Sequence, residues 1–205
     1  MTSSTSEEQA IRAAFDAHEL SRAAIVALES YGDELLSFLC SRLRSASDAQ
    51  EVFSMLVEDL WTGLPGFGWR CSMRTWLYTL ARNAAARYLK APQQRRAHQL
   101  ALSQVEGLSA LVERVRSATN VYQQTDVKTR FQQLCEQLPD EDRMLLVLRV
   151  DRGLSFRELA LAIGGDVELD EAGITREAAR LRKAFARLKD ELRSLATQEG
   201  LLGGD

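Results

Sequence analysis

Cysteine, histidine and proline are all scarce in this chain of 205 residues, which holds three cysteines, two histidines and three prolines. Cys40, Cys71 and Cys135 stand far apart with no CxxC pair, and His18 and His98 cannot complete a zinc site with them. An odd, scattered set of thiols fits a reducing compartment, which points to the cytoplasm. No window approaches the ~18 consecutive apolar residues of a membrane span. The start, Met1 to Gln9, is polar and acidic, unlike a secretory leader. There is no Gly-rich phosphate loop, and the carboxylates are scattered. These absences predict a chain that is not an enzyme and needs no cofactor or metal.

One further absence is local. Between Leu60 and Val105 there is no Asp or Glu, although the whole chain has a net charge of −3. The same stretch carries Arg70, Arg74, Arg82, Arg87, Lys90, Arg95 and Arg96, together with Trp61, Trp69 and Trp76. Cations neutralise phosphates and aromatic faces stack on unpaired bases, so a basic, aromatic block without acid suits nucleic acid. A solvated helix face whose aromatics belong to the core is the plainer alternative.

What is abundant is helix-forming sequence. Ala, Leu, Arg, Glu and Gln dominate and β-branched runs are missing, which predicts an all-α chain. Ser6-Glu7-Glu8-Gln9 has capping-box spacing and opens a helix expected to run towards Ser30, where Tyr31-Gly32 breaks it. Another helix follows from Asp33 through Leu43. Ser47-Asp48-Ala49-Gln50 repeats the capping pattern, with an end expected near Gly63. Leu64 to Gly68 reads as a loop, and Ser72 caps a helix that stops before Pro92. Residues 91 to 126 lack large anchors and read as a connector. Pro139 suits the first turn of a helix ended by Arg152-Gly153-Leu154. Ser155-Phe156-Arg157-Glu158 is a third capping box, opening a short helix that stops at Gly164-Gly165. The last helix is expected from near Thr175 past Leu192. The resulting division is a helical domain over 1–91, a connector over 92–127 and a second helical domain over 128–205.

Two helix faces carry chemistry. On the helix after Ser72, Trp76, Asn83, Arg87 and Lys90 fall on one side, while Met73, Leu77, Leu80, Ala84 and Tyr88 form a separate apolar stripe. An aromatic, an amide and two cations fit a melted strand; packing of Trp76 against a neighbouring helix is the alternative. On the last helix, Ile174, Ala178, Leu181, Phe185, Leu188, Leu192 and Leu195 make an unbroken apolar seam. Arg176, Arg180, Lys183 and Arg187 recur on the other side, as on a helix that enters a major groove. With the short helix before it, the pair reads as helix-turn-helix, but the turn is long and carries the acidic insertion 165–173.

The residues Asp48-Ala49-Gln50-Glu51-Val52-Phe53 through Leu60-Trp61, then Leu64-Pro65-Gly66-Phe67 and the run Ser72-Met73-Arg74-Thr75-Trp76-Leu77-Tyr78-Thr79-Leu80-Ala81-Arg82-Asn83, resemble region 2 of an extracytoplasmic-function (ECF) sigma factor. Leu138-Pro139 through Arg143, Gly153 to Ala160 and Arg180 to Leu188 are similar to region 4. The resemblance implies a bacterial protein that joins core RNA polymerase and directs it to promoter DNA. It places core-polymerase contacts, on the clamp of the largest subunit, along the helix from Asp48 to Leu60, at Asp48, Glu51, Val52, Met55 and Asp59. It places −10 element contacts at Trp69, Arg70, Trp76, Arg82, Asn83, Arg87 and Lys90. It places −35 contacts at Arg157, Arg176, Arg180, Arg182, Lys183 and Arg187, with the same domain near the polymerase flap. An anti-sigma factor is a further partner that many family members have. Departures from the family's usual residues fall at Ser54 and Met55, at Trp69 and Arg70, and at Ala178 and Ala179. Two other readings stay open: a helix-turn-helix regulator that never touches polymerase, and a sigma-like interaction module that does not initiate transcription.

Overall fold

The computed structural model describes residues 3–90, 110–115, 137–164 and 170–198, with side chains from residue 6 onward in the first of these. The chain divides into two units, Met1–Gln124 and Thr125–Asp205. Every regular element among the described residues is helical. The connector apart from residues 110–115 and the start of the 128–205 domain, with Phe131 and Leu134, lie outside the described residues, as do Arg95, Arg96, Cys135 and most of the acidic insertion.

In the first unit, α1 (Ser3–Asp16), α2 (Leu20–Leu43), α3 (Ala46–Gly63) and α4 (Met73–Lys90) pack around one core. Ser6 therefore lies within α1 and is not its cap. The break falls at residues 17–19, where His18 takes a φ of 62°, and Tyr31-Gly32 continue α2 without interruption. Both are buried in that helix. A β-carbon on Gly32 would lie 3.1 Å from Val115 Cγ2, so this glycine serves close approach and not a turn. Val115 belongs to α5 (residues 110–115), a helical turn inside the stretch read as a connector, and Leu111, Val112 and Val115 are buried.

Arg44 ends α2 in the left-handed conformation, its N–H donating to the Cys40 carbonyl at 3.0 Å. Ser45, two residues before the expected capping box, is the N-cap of α3, and its Oγ accepts the Asp48 N–H at 3.3 Å. A short 3₁₀ turn, Leu64–Gly66, then leads into the loop before α4. Ser72 does cap α4, accepting the Thr75 N–H at 3.1 Å.

The second unit has α6 (Asp140–Leu146), extended by a wider π turn over Val147–Asp151, then α7 (Phe156–Ile163) and α8 (Glu171–Gln198). The Ser155 capping box is complete: Ser155 Oγ accepts the Glu158 N–H, and Glu158 Oε2 accepts the Ser155 N–H at 2.7 Å. The last helix begins four residues earlier than the periodicity predicts. Asp170 Oδ1 accepts the Gly173 N–H at 2.7 Å, so Asp170 and Glu171 belong to a helix start and not to an acidic loop. Leu138, Leu188 and Leu192 form a buried cluster with Leu146 and Phe185 against it.

Leu77 on α4 is 0 % exposed and Leu89 on the same helix is 53 % exposed. Leu77→Ala is expected to cost about 2–5 kcal/mol in denaturant unfolding, the range for emptying a buried leucine site, while Leu89→Ala changes stability by less than about 0.5 kcal/mol.

Candidate nucleic-acid interfaces

The inward side of α4 is sealed. Met73, Leu77, Ala81, Ala84 and Ala85 are 0 % exposed, and Tyr78 and Tyr88 are nearly so. This is the predicted apolar stripe, with Leu80 only half-buried at its margin. Its outward side keeps Trp76, Arg82 and Asn83 half-buried and Arg87 and Lys90 exposed.

The outward side chains are not isolated. Trp76 lies flat on Phe67, with ring centroids 4.5 Å apart and planes 19° apart, and its Cζ2 sits 3.1 Å from where Gly63 would carry a β-carbon. That packing fits the plainer alternative, although the residue stays partly exposed. Arg82 donates from Nε and Nη2 to Asn83 Oδ1 at 3.1 and 2.7 Å, so the amide and the cation form one unit. Arg87 is ion-paired to Asp59 on α3. Arg74, part of the acid-free block, is held bidentately by Glu34 of α2 at 2.7 and 2.9 Å, which assigns it to structure.

Trp69 is the larger surprise. It adopts a φ of 55°, rare for a bulky residue. Its indole contacts Phe67 at 4.9 Å and Phe15 edge-on at 5.6 Å, and the Arg12 guanidinium lies 4.6 Å over its ring. Its Nε1 is buried and donates to nothing among the described residues. Trp69 is thus clasped by the protein, and Arg70 beside it is exposed.

Along α3 the expected polymerase contacts need correction. Val52 is 0 % exposed and Met55 6 %, so both side chains are core and neither presents a surface. The helix buries Ala49, Val52, Phe53, Leu56 and Leu60 on the side facing α2 and α4, and Val52 falls inside that stripe. Glu51 is half-exposed. Asp48 accepts the Tyr88 hydroxyl at 2.6 Å and Asp59 holds Arg87, so two residues expected to meet polymerase also tie α3 to α4.

In the second unit, α8 buries Ile174, Ala178, Leu181, Leu188 and Leu192, with Phe185 and Leu195 half-buried, as the seam predicts. Arg176, Arg180, Lys183 and Arg187 are all exposed on the remainder. Arg176, Lys183 and Arg187 make no ion pair among the described residues. Arg180 is held by Glu177, with bonds of 2.6 to 3.1 Å. Arg180's hydrogen bond lowers the Glu177 carboxyl pKa, against the opposing effect of partial burial. Arg182 lies 5.1 Å over Phe156, with Arg149 4.9 Å away over the same ring. Arg157 is bonded bidentately to Glu171.

Residues that sequence reasoning missed are Glu8, Arg12 and Phe15, all on α1. Glu8 had an obvious local role as a capping-box member, which hid its actual partners on α4. Among the described residues there is no group of three or more His, Cys, Asp or Glu side chains that could hold a metal, and no helix long and apolar enough to cross a membrane.

Residues 27–96, from α2 to just beyond α4, match the sequence model of the family Sigma-70 region 2. The segment from α2 through α4 thus resembles Sigma-70 region 2. It is 24 % identical over 164 residues to the RNA polymerase sigma factor YlaC of Bacillus subtilis, covering 80 % of this chain and 92 % of that protein. It is 26 % identical over 165 residues to the RNA polymerase sigma-H factor of Pseudomonas aeruginosa, covering 78 % and 85 %. The first unit ends at Gln124, so an alignment of 164 residues extends into the second.

The Glu171 carboxyl is held below its ordinary value of 4.5, first by the hydrogen bond from Arg157. A lowered carboxylate contributes stability above its unfolded value and loses it as pH falls through the folded value. The difference in unfolding midpoint between wild type and Glu171→Gln is therefore expected to hold at neutral pH and to vanish in acid, as read by thermal melts across roughly pH 7 to 3.

Proposed function

We propose that this chain is an ECF-type RNA polymerase sigma factor that works in the cytoplasm, joins core RNA polymerase and directs transcription initiation at promoter DNA. The observation that carries the reading is α4: a helix within the region 2 match, sealed on one side and presenting a half-exposed indole, an amide and cations on the other. The loop before α4 and its outward face take bases and phosphates of the melted −10 strand, with Trp76, Arg70, Arg82, Asn83, Arg87 and Lys90 as contacts. The exposed basic stripe of α8 docks in duplex DNA at the −35 element through Arg176, Arg180, Lys183 and Arg187. Arg157 and Arg182 stand at its margin. Glu51, Asp48 and Asp59 on α3 face the polymerase clamp. The second unit reaches the flap, and an anti-sigma factor is a further partner.

Charge supports a division of labour. With a net charge of −3 the whole chain gains little from non-specific attraction to DNA. Two basic faces held on one polymerase act at high effective concentration, so binding is strong only in the holoenzyme. Bases captured from the melted strand offset the few kcal/mol that unstacking costs. Nucleotide chemistry belongs to the polymerase.

Reconstituted holoenzyme is expected to start RNA chains from a promoter library in run-off assays; failure on every template overturns the reading. Replacing Arg176 and Lys183 by Ala should flatten the log–log salt dependence of promoter binding by about 0.9 for each phosphate that is no longer neutralised. An unchanged slope would remove α8 from the DNA.

A further inference from the structure

Glu8 sits in the middle of α1, yet its carboxylate is spent on α4. Its Oε2 accepts the Met73 N–H at 2.9 Å, and its Oε1 accepts the Arg74 N–H at 3.0 Å. The Tyr31 hydroxyl of α2 donates to the same Oε1 at 3.3 Å. The first N–H groups of a helix have no partner within it and carry the positive end of its dipole, so a carboxylate there is favourable on both counts. Ser72 satisfies the Thr75 N–H, and Glu8 takes the two before it. The amino end of α4 is thereby fixed by an acid from sixty-five residues upstream in the chain.

One turn further along α1, Arg12 lies over the Trp69 ring, and Phe15 meets the same indole edge-on. Glu8, Arg12 and Phe15 follow the four-and-three spacing of a single helix face. That face therefore touches both ends of the loop from Gly68 to Ser72: Trp69 near its start, and the α4 N–H groups just after its end. Trp69 has a φ of 55°, a conformation that a bulky side chain keeps only when its surroundings over-determine it. The clasp by Arg12, Phe15 and Phe67 supplies that determination.

We propose that Glu8 and Arg12 of α1 are positioning residues for base selection: they set the shape of the loop from Gly68 to Ser72, and hence which bases of the melted strand it accepts, without touching DNA themselves. Both lie outside the region 2 match at residues 27–96. The proposal rests on the reading of this chain as a promoter-specificity factor. Loss of Arg12 releases one face of Trp69; loss of the Glu8 charge loosens the helix start that the loop runs into. Either change broadens the set of loop conformations, and base preference weakens because the fit to each base is no longer pre-organised.

The test uses intact holoenzymes carrying wild type, Glu8→Gln, Glu8→Asp, Arg12→Ala or Trp69→Ala. Run-off transcription is scored on a library randomised separately in the start-proximal and the upstream promoter elements. Wild-type holoenzyme must initiate and show preferences in both; if it does not, the sigma-factor reading itself falls. Given that, Glu8→Gln and Arg12→Ala are expected to weaken base preference in the start-proximal element by about tenfold, equivalent to ~1.4 kcal/mol. Preference in the upstream element stays as in wild type. Glu8→Asp is expected to restore part of the preference, and Arg12→Ala combined with Trp69→Ala to do no more than Trp69→Ala alone. A merely structural role predicts something else: output falls uniformly, in step with the melting temperature, and the ranking of bases is unchanged. That result, or variants indistinguishable from wild type, overturns the proposal. Arg12 is exposed, so its substitution keeps the question answerable even where a Glu8 variant folds poorly.

Discussion

Burial of one stripe of α4 is the constraint on which the first unit depends. Met73, Leu77, Ala81 and Ala84 are withdrawn from water against α2 and α3, and each large apolar group among them contributes roughly 1.5–3 kcal/mol. Helical geometry then leaves no freedom for the opposite side. Trp76, Asn83, Arg87 and Lys90 face outward because their neighbours face inward. The chemistry of the surface is in this sense a by-product of the packing beneath it. The same holds on α8, where the seam from Ile174 to Leu192 turns the stripe of Arg and Lys to the outside.

The cations on these surfaces fall into two groups with different consequences. Arg74 is bonded bidentately to Glu34 and serves the fold. Arg87 and Arg180 hold acidic neighbours, Asp59 and Glu177, in exposed pairs. Such pairs are typically worth less than about 1 kcal/mol, so a phosphate can displace the acid at little cost. Meanwhile the acid restrains a long side chain in the unbound protein and lowers its attraction for arbitrary polyanions. On the proposed function, in which the chain acts on DNA only when mounted on polymerase, that arrangement is favourable.

Much of the fold was legible because its signals are local. The seam of α8 and the stripe of α4 follow helical periodicity. Ser72 and Ser155 cap their helices as their side chains allow. Most of the differences share one physical cause, which is that a tertiary contact outweighed a local preference. Gly32 resembles a helix breaker until Val115 is seen lying against it. Ser6-Glu7-Glu8-Gln9 has capping-box spacing, but Glu8 is drawn to the amino end of α4 instead. Val52 lies on the expected polymerase-facing helix, yet helix phase turns it into the core. The packing of Trp69 with Phe15 and Arg12 is likewise invisible to local pattern. No pattern within a window of residues could announce a partner more than fifty positions away.

The central claim is that two faces of one chain address DNA in two states, one separated and one paired. Site-specific photocross-linking in a promoter-bound holoenzyme tests it most directly, with a photoreactive side chain placed at position 76 in one preparation and at position 180 in another. The account predicts that position 76 cross-links to a single strand within the melted segment, and that position 180 cross-links to duplex upstream of it. Cross-links from both positions to the same duplex, or from either to protein alone, would contradict it.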